Sequence, residues 1–350
     1  MKYPALLIDE NKLRHNVDFL AKSCHDCGVS CDIVTKVTCA HPLVVSIIEN
    51  SLADGFADSR IENLESIKTK KRKLLLRISA LSEAERVVAV ADASLQSELS
   101  VIAELEKRAG GQGRIHGVIL MIDLGDLREG LFFENREGIL KTARFIAKSD
   151  NLMLLGLGTN LTCFGAILPD EKNLGVLCEL ASWLERELDI EIPLISGGNS
   201  SSLSMLFEGR LPKRINHLRI GEAAMLGQDT ASCKKIPELY DDAFVLAAEI
   251  VEVQKKPAKP IGTAYKNAFG ESVEFSGEGE QTRAILAVGR QDVVISGLTP
   301  LNEGVSVLGG SSDHLIVSLE NGGYRVGDIL KFKLNYGALL AASTSKYVYK

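Results

Sequence analysis

A chain of 350 residues with 45% hydrophobic and 25% charged side chains has the composition of an ordinary globular protein, with room for one large core or two moderate ones. Its formal net charge of −6 argues against a nucleic-acid binder, which carries a basic excess or stripe. No apolar stretch reaches transmembrane length and Met1-Lys2-Tyr3-Pro4 has no signal-peptide pattern, so a cytoplasmic protein is expected. The dense basic run Lys68-Thr69-Lys70-Lys71-Arg72-Lys73 precedes an apolar strand and reads as a solvated helix-to-strand turn. Seven cysteines, an odd number, suit reduced thiols. Cys24, Cys27 and Cys31 have a spacing that a metal site could use, but no second ligand pair accompanies them; they read as packing cysteines, and no metal is expected.

Leu6-Leu7-Ile8 reads as a short strand, and Asp9 can cap a helix that runs through Leu13, Val17 and Leu20 toward Cys24 and stops at Gly28. The β-branched run ending at Lys36 is a strand, and His41-Pro42 opens the next helix. Further strands are expected at Gly55 to Ala57, Lys73 to Ile78, Val87 to Ala91, Gly117 to Asp123, Met153 to Gly158, Pro193 to Gly197 and His217 to Ile220. Helices are expected at Arg60 to Thr69, Leu95 to Arg108, Arg136 to Lys148, Asn173 to Leu188 and Ser202 to Phe207.

Counting the Lys36 strand, the pattern predicts a parallel (β/α)8 barrel over residues 1–235, with the first strand able to join the C-terminal part of the chain instead. A doubly wound sheet would need a G-x-G-x-x-G turn after an early strand, and none is present. From 236 to 350 the segments Ala243 to Val253, Thr282 to Val288, Gln291 to Ile295, Val305 to Leu308, His314 to Leu319 and Asp328 to Leu334 are short and β-branched, with a hairpin signal at Asn321-Gly322-Gly323. They predict a second, mostly β domain.

Barrels place function at the C-terminal ends of their strands. Lys36 stands at one such end; among apolar groups its amine would lose charge and could attack a carbonyl. On that segment alone, a lysine whose head reaches solvent is the ordinary reading. The run Gly197-Gly198-Asn199-Ser200-Ser201-Ser202 offers backbone amides and hydroxyls where a helix begins, and Gly221 comes after the eighth strand; loops seven and eight are where barrels bind phosphate. Taken alone, the run has a helix cap with turn glycines as its ordinary reading. Lysine and phosphate cradle together point to pyridoxal 5'-phosphate. Arg219 would then lie by the ring nitrogen, where a permanent cation disfavours ring protonation and suits removal and return of a proton at one carbon.

Asp32-Ile33-Val34-Thr35-Lys36, the run from Gly158 to Gly165, Gly289-Arg290-Gln291-Asp292-Val293 and Ser311-Ser312-Asp313-His314 resemble the fold-type III pyridoxal phosphate enzymes. Over nearly the whole chain the resemblance is to the alanine racemase family, on its alanine/ornithine racemase branch. It implies a barrel plus β domain and a head-to-tail homodimer whose sites are completed by the partner's β domain. It makes Lys36 the Schiff-base lysine and the base on one face of the substrate. It assigns the phosphate to Asn199, Ser200, Ser201, Gly221, Glu222 and Tyr336, the ring to Arg219 and Asn160, and the substrate to Arg128, Ser312 and Asp313. Tyr265 is in the neighbourhood of the opposite-face base, with Asp313, His314 and Cys163 as further candidates.

The chain departs from the alanine racemase pattern at Val37-Thr38-Cys39-Ala40, which lacks a phosphate tyrosine, at Ser196, where a histidine usually backs the ring arginine, and at Asn160, which replaces another histidine. These departures favour the ornithine-like branch and a basic amino acid as substrate. A decarboxylase of this fold would put a glutamate where Arg219 stands. A cofactor-carrying homeostasis protein would need no β domain, and a barrel hydrolase or lyase would lack the cofactor.

Overall fold

The computed structural model describes residues 1–272, 277–320 and 322–350, and the chain divides into two compact units. One is Glu10–Tyr240; the other joins Met1–Asp9 to Asp241–Lys350. Strand β1 (Ala5–Ile8) belongs to the second unit, and helix α1 (Glu10–Asp26) opens the first. Eight parallel strands then close a ring: β2 (Ser30–Val34), β3 (Gly55–Asp58), β4 (Arg72–Leu75), β5 (Ala93–Gln96), β6 (His116–Asp123) and, past the two-residue β7 (Leu131–Phe132) that pairs with β6, β8 (Leu152–Gly158), β9 (Leu194–Ser196) and β10 (His217–Ile220). β10 pairs with β2 and β5 with β6, so the barrel has no free edge.

Helices α2 (Pro42–Glu49), α3 (Ile61–Ser66), α4 (Ala84–Val90), α5 (Leu99–Gln112), α6 (Arg136–Ala147), α7 (Glu171–Leu188), α8 (Leu203–Phe207) and α9 (Glu222–Leu226) come after the strands. The α7 start carries a capping box, Asp170 accepting from the Asn173 amide. The basic run that reads as a solvated turn has a structural task as well. Lys71 Nζ donates to the carbonyls of Ile48, Ser51 and Ala53 at 2.7–2.9 Å, closing the end of α2, and Lys73 Nζ donates to Leu64 O in α3.

Val34, Ala57, Leu74, Leu95, Ile119 and Met121 form an apolar cluster of barrel-strand residues. Burying each such side chain stabilises the fold by roughly 1.5–3 kcal/mol. Beside them β2 carries Asp32, fully buried, and the barrel makes room for its carboxylate at Gly55: a Cβ there would stand 2.4 Å from Asp32 Oδ1.

Two expectations about local structure fail. Val87 to Ala91, expected as a strand, is helix α4, and the fourth barrel strand is β5, whose Leu95 and Gln96 were expected to open a helix. Ala84, Val87 and Val88 fall on one helical face and are buried, so tertiary packing overrides the strand preference of a Val-Val pair. Gln291 to Ile295 is a turn leading into a short 3-10 helix (Ile295–Gly297): Gln291 N is spent on another loop, donating to Ser312 O, and Asp292 N closes a local turn on Gly289 O.

The second unit is a seven-stranded antiparallel sheet. Long β11 (Phe244–Pro257) pairs with β1, with β12 (Glu280–Leu286) and with β16 (Ile329–Leu334); β13 (Leu298–Pro300) flanks β16, and β14 (Val305–Gly310) and β15 (Leu315–Leu319) continue from β12. Helix α10 (Tyr336–Thr344) is last, capped by Asn335 on the Ala338 amide. The expected hairpin at Asn321-Gly322-Gly323 begins at a residue outside the described ones. No helix of the described residues is long and apolar enough to cross a membrane.

His116, at the start of β6, is buried against the Ser94 hydroxyl at 2.8 Å, and burial pushes its imidazole down to about 4. The unfolded chain takes up a proton near pH 6.5 while the folded one does not. The stability contributed by this neutral histidine is therefore present above pH 6.5 and is lost as pH falls toward 4, by roughly 3 kcal/mol. The urea midpoint should fall between pH 7.5 and 4.5, and His116→Gln should reduce that fall; an equal fall in both proteins would refute the assignment.

Candidate active site

Lys36 comes directly after β2 and opens a single 3-10 turn, Lys36–Thr38. The strand end is locked from behind: Thr35 Oγ1 donates to Asp58 Oδ2 at 2.7 Å, and Asp58, closing β3, also accepts from Arg60 N and Asn63 Nδ2. Burial pushes the Lys36 ammonium below its ordinary value; the cation of Arg128 adds to this, while Asp58 and Glu129 oppose it. The result is an amine closer to its nucleophilic form than a surface lysine.

The backbone around the barrel mouth is strained. Cys39 and Ala40, just after the lysine turn, Leu127 after β6, and Thr162 and Ala166 after β8 all have φ between 49° and 65° without being glycine. Such conformations cost about 1–3 kcal/mol each and gather where a site over-determines its loops. Asp126 holds one of these loops, accepting from the amides of Cys163, Phe164 and Ile167, and Asp123 accepts from Gly125 and Leu127.

Arg219, on β10, is the largest fully buried side chain. Its NH1 donates to Ser196 Oγ, and its NH2 donates to Thr159 O at 2.7 Å and Asn160 Oδ1 at 2.6 Å. Burial pushes it down to about 10, so it remains a cation at neutral pH. The Asn160 amide is oriented by both ends: its oxygen accepts from Arg219 and its nitrogen donates to Glu129. Glu129 in turn accepts from Arg128 NH2 at 2.5 Å and from Arg128 Nε. Arg128 and Arg219 are thus joined through Glu129 and Asn160, a link that sequence reading missed; the sole clue was a carboxylate next to Arg128.

After β9, Asn199 caps its own loop, accepting from Ser201 N at 2.9 Å, while its Nδ2 donates to Leu161 O and lies 3.4 Å from Cys163 Sγ. Burial pushes the Cys163 thiol up, so it is protonated at neutral pH. The Ser200 hydroxyl accepts from the amides of Gly221 and Ala223, both at 3.2 Å. The Ser201 hydroxyl is buried without a partner. Two amides at the opening of α9 and two hydroxyls, of which the buried Ser201 one has no partner, form a cradle suited to a phosphate group. The Glu222 carboxyl next to it is pushed up by burial, which lessens its repulsion of an anion. The residues present therefore fit pyridoxal phosphate: a depressed lysine, a cradle for the phosphate and a fixed buried cation.

The remaining expected residues lie in the second unit. Tyr265 is 90% exposed on the connection between β11 and β12. Ser312 and Asp313 sit on an exposed turn, with Ser311 and Ser312 donating to Asp313 Oδ1 at 3.1 and 3.3 Å and holding that carboxyl below its ordinary value. His314 Nδ1 is 3.6 Å from the same oxygen. The turn packs on Gly289: a Cβ there would lie 2.4 Å from the Asp313 backbone, and Arg290 N and Gln291 N donate to Ser311 O and Ser312 O. Arg290 also pairs with Glu271 and lies over the Phe269 ring at 4.2 Å. Tyr336 opens α10.

A closed parallel barrel followed by an antiparallel sheet is the architecture of alanine racemases. The enzyme from D-cycloserine-producing Streptomyces lavendulae superposes with a TM-score of 0.75 at 16% identity over 99% of this chain and 97% of that one. D-threonine aldolase from Filomicrobium marinum superposes with a TM-score of 0.72 at 15% identity, over 98% and 89%. The family model for the alanine racemase N-terminal domain matches residues 8–229. An ornithine racemase of Acetoanaerobium sticklandii is 44% identical over 351 residues, 99% of each chain, and a lysine racemase of Thermotoga maritima is 34% identical over 354 residues, 100% of this chain and 98% of that one. The chain belongs to the alanine racemase family.

Proposed function

We propose that this protein is an amino acid racemase that interconverts the L and D forms of a basic amino acid, ornithine first, using pyridoxal phosphate held in the barrel. The reading rests on the family membership and on two full-length relatives named for basic amino acids. The observation that carries it in the site is Arg219, a cation buried and fixed by three acceptors and suited to face the nitrogen of the cofactor ring. When bound, the cofactor supplies an aldehyde for the substrate amine and a ring that draws charge from Cα.

Lys36 would hold that aldehyde carbon at rest, with Ser200, Ser201 and the α9 amides holding the phosphate. Arg219, unable to give up its proton, keeps the ring nitrogen unprotonated and charge withdrawal brief. This favours return of a proton to Cα over loss of carboxylate. Arg128, steadied by Glu129, carries a positive charge suited to the substrate carboxylate. Lys36 Nζ moves a proton on one face of Cα. On the other face Tyr265 of a second copy's β unit does so, with Ser312 and Asp313 contributed in the same way and Tyr336 reaching the phosphate, so the working form is a head-to-tail homodimer; the cytoplasm is its proposed location.

The test is α-deuterium incorporation and loss of optical rotation in deuterium oxide, with L-ornithine, L-lysine, L-alanine and L-serine. Turnover of ornithine or lysine well above alanine is expected. Exchange with none of them, in protein carrying the cofactor, would sink the racemase reading; carbon dioxide release would replace it by a decarboxylase.

A further inference from the structure

Beside its apolar cluster the barrel carries a column of polar side chains. From Arg219 it continues downward: Ser196 Oγ lies 2.7 Å from His217 Nδ1, His217 Nε2 lies 3.0 Å from Asp32 Oδ2, and Arg72 NH2 donates to Asp32 Oδ1 at 2.9 Å. Asp32, His217 and Ser196 are wholly buried. They sit on neighbouring strands, with His217 level with Ser196 and Arg219 level with Asp32.

The proton positions are dictated by the partners. Burial alone would raise the Asp32 carboxyl, but the Arg72 cation and the hydrogen bond from His217 Nε2 hold it below its ordinary value, so it is an acceptor. Burial pushes the His217 imidazole below its ordinary value; Asp32 opposes this and the cations of Arg72 and Arg219 add to it, so the neutral form prevails above pH 7. Its one proton must be on Nε2, facing Asp32. Nδ1 is then an acceptor and takes the Ser196 hydroxyl proton, which leaves the Ser196 lone pairs turned toward Arg219. Every donor runs in one sense, from Arg219 through Ser196 to His217.

We propose that His217, clamped by Asp32, is a positioning residue that acts through the Ser196 hydroxyl to fix the plane and placement of the Arg219 guanidinium. This deepens the reading given above, since it assigns Arg219 the same place at the cofactor ring. A buried carboxylate and imidazole are costly inside a barrel that apolar residues could fill. Their reward is an acceptor of fixed direction behind Arg219 that no surface loop can perturb. The arrangement supplies in two steps what a single residue at position 196 could supply only with a longer side chain.

Two measurements test this. Nitrogen-15 NMR of the histidine-labelled protein at pH 7.5, with His217→Gln to assign the resonance, should show a neutral imidazole protonated at Nε2. A proton on Nδ1, or a cationic imidazole at that pH, overturns the proposal, and the measurement requires no turnover. In the holoenzyme, Ser196→Ala and His217→Gln should each lower kcat for racemisation roughly tenfold with little change in KM, as loss of one hydrogen bond to a charged group does. The double variant should be no worse than the weaker single one, and Ser196→Thr should retain the rate. Losses that add, or that merely track the melting temperature, overturn it. A wild-type enzyme that racemises nothing would instead defeat the functional reading while leaving the NMR result to decide the column.

Discussion

Lys36→Ala is expected to abolish racemisation, with a loss of at least about 10⁴-fold in kcat, because in the proposed reading one residue is both the covalent anchor and a proton carrier. The same substitution should leave the fold as stable as before or more so. The Lys36 ammonium is held below its ordinary value by burial, with Arg128 adding to it, so the folded state disfavours the charge that the unfolded chain carries freely. By linkage, stability rises with pH in the window between the depressed folded value and the ordinary value near 10.4, and this rise should vanish in Lys36→Ala. Activity assays set beside urea melts at pH 7 and pH 10 check both halves. Residual racemisation within a hundredfold of wild type would remove Lys36 from the chemistry, and a destabilised variant would assign it a structural task instead.

Asp32→Ala is expected to cost about 3 kcal/mol of stability, toward the lower end of the range for removing one member of a buried charge pair. The lower end applies because Arg72 is 29% exposed and can recover some hydration, whereas Asp32 is fully buried. His217 Nε2 would also lose its acceptor. The Asp32 carboxyl is held below its ordinary value in the fold. Its contribution is therefore present above the unfolded value near 3.9 and is lost as pH falls through the folded value. The gap between wild type and variant should stay constant from pH 5 to pH 8 and close only in stronger acid. Urea midpoints at several pH values, at unchanged m-value, provide the check. A gap that opens or closes between pH 5 and 8 would show that a different group holds the column together.

The alternation of apolar runs with amphipathic stretches was enough to read a parallel barrel and a later β unit, since periodicity reports which face of each segment is buried. It misplaced the fourth strand, because the Val87–Val88 pair satisfies a helical face and a strand equally well until its packing partners are known. The Asn199-Ser200-Ser201 loop and Lys36 were legible as candidates because each puts a distinctive residue type at a strand end. Glu129 was not, since its meaning lies in Asn160, 31 residues further on.

By itself, the sequence determined the fold class and most of the elements, and it singled out the candidate residues: Lys36 at the end of a β-branched run, the Asn-Ser-Ser loop and Arg219. Only the tertiary structure decided the polar column. Asp32 and His217 are 185 residues apart and meet because the barrel closes, bringing β10 beside β2. Local propensity and periodicity act over a few residues, whereas the direction of a buried hydrogen bond depends on groups that only ring closure makes neighbours.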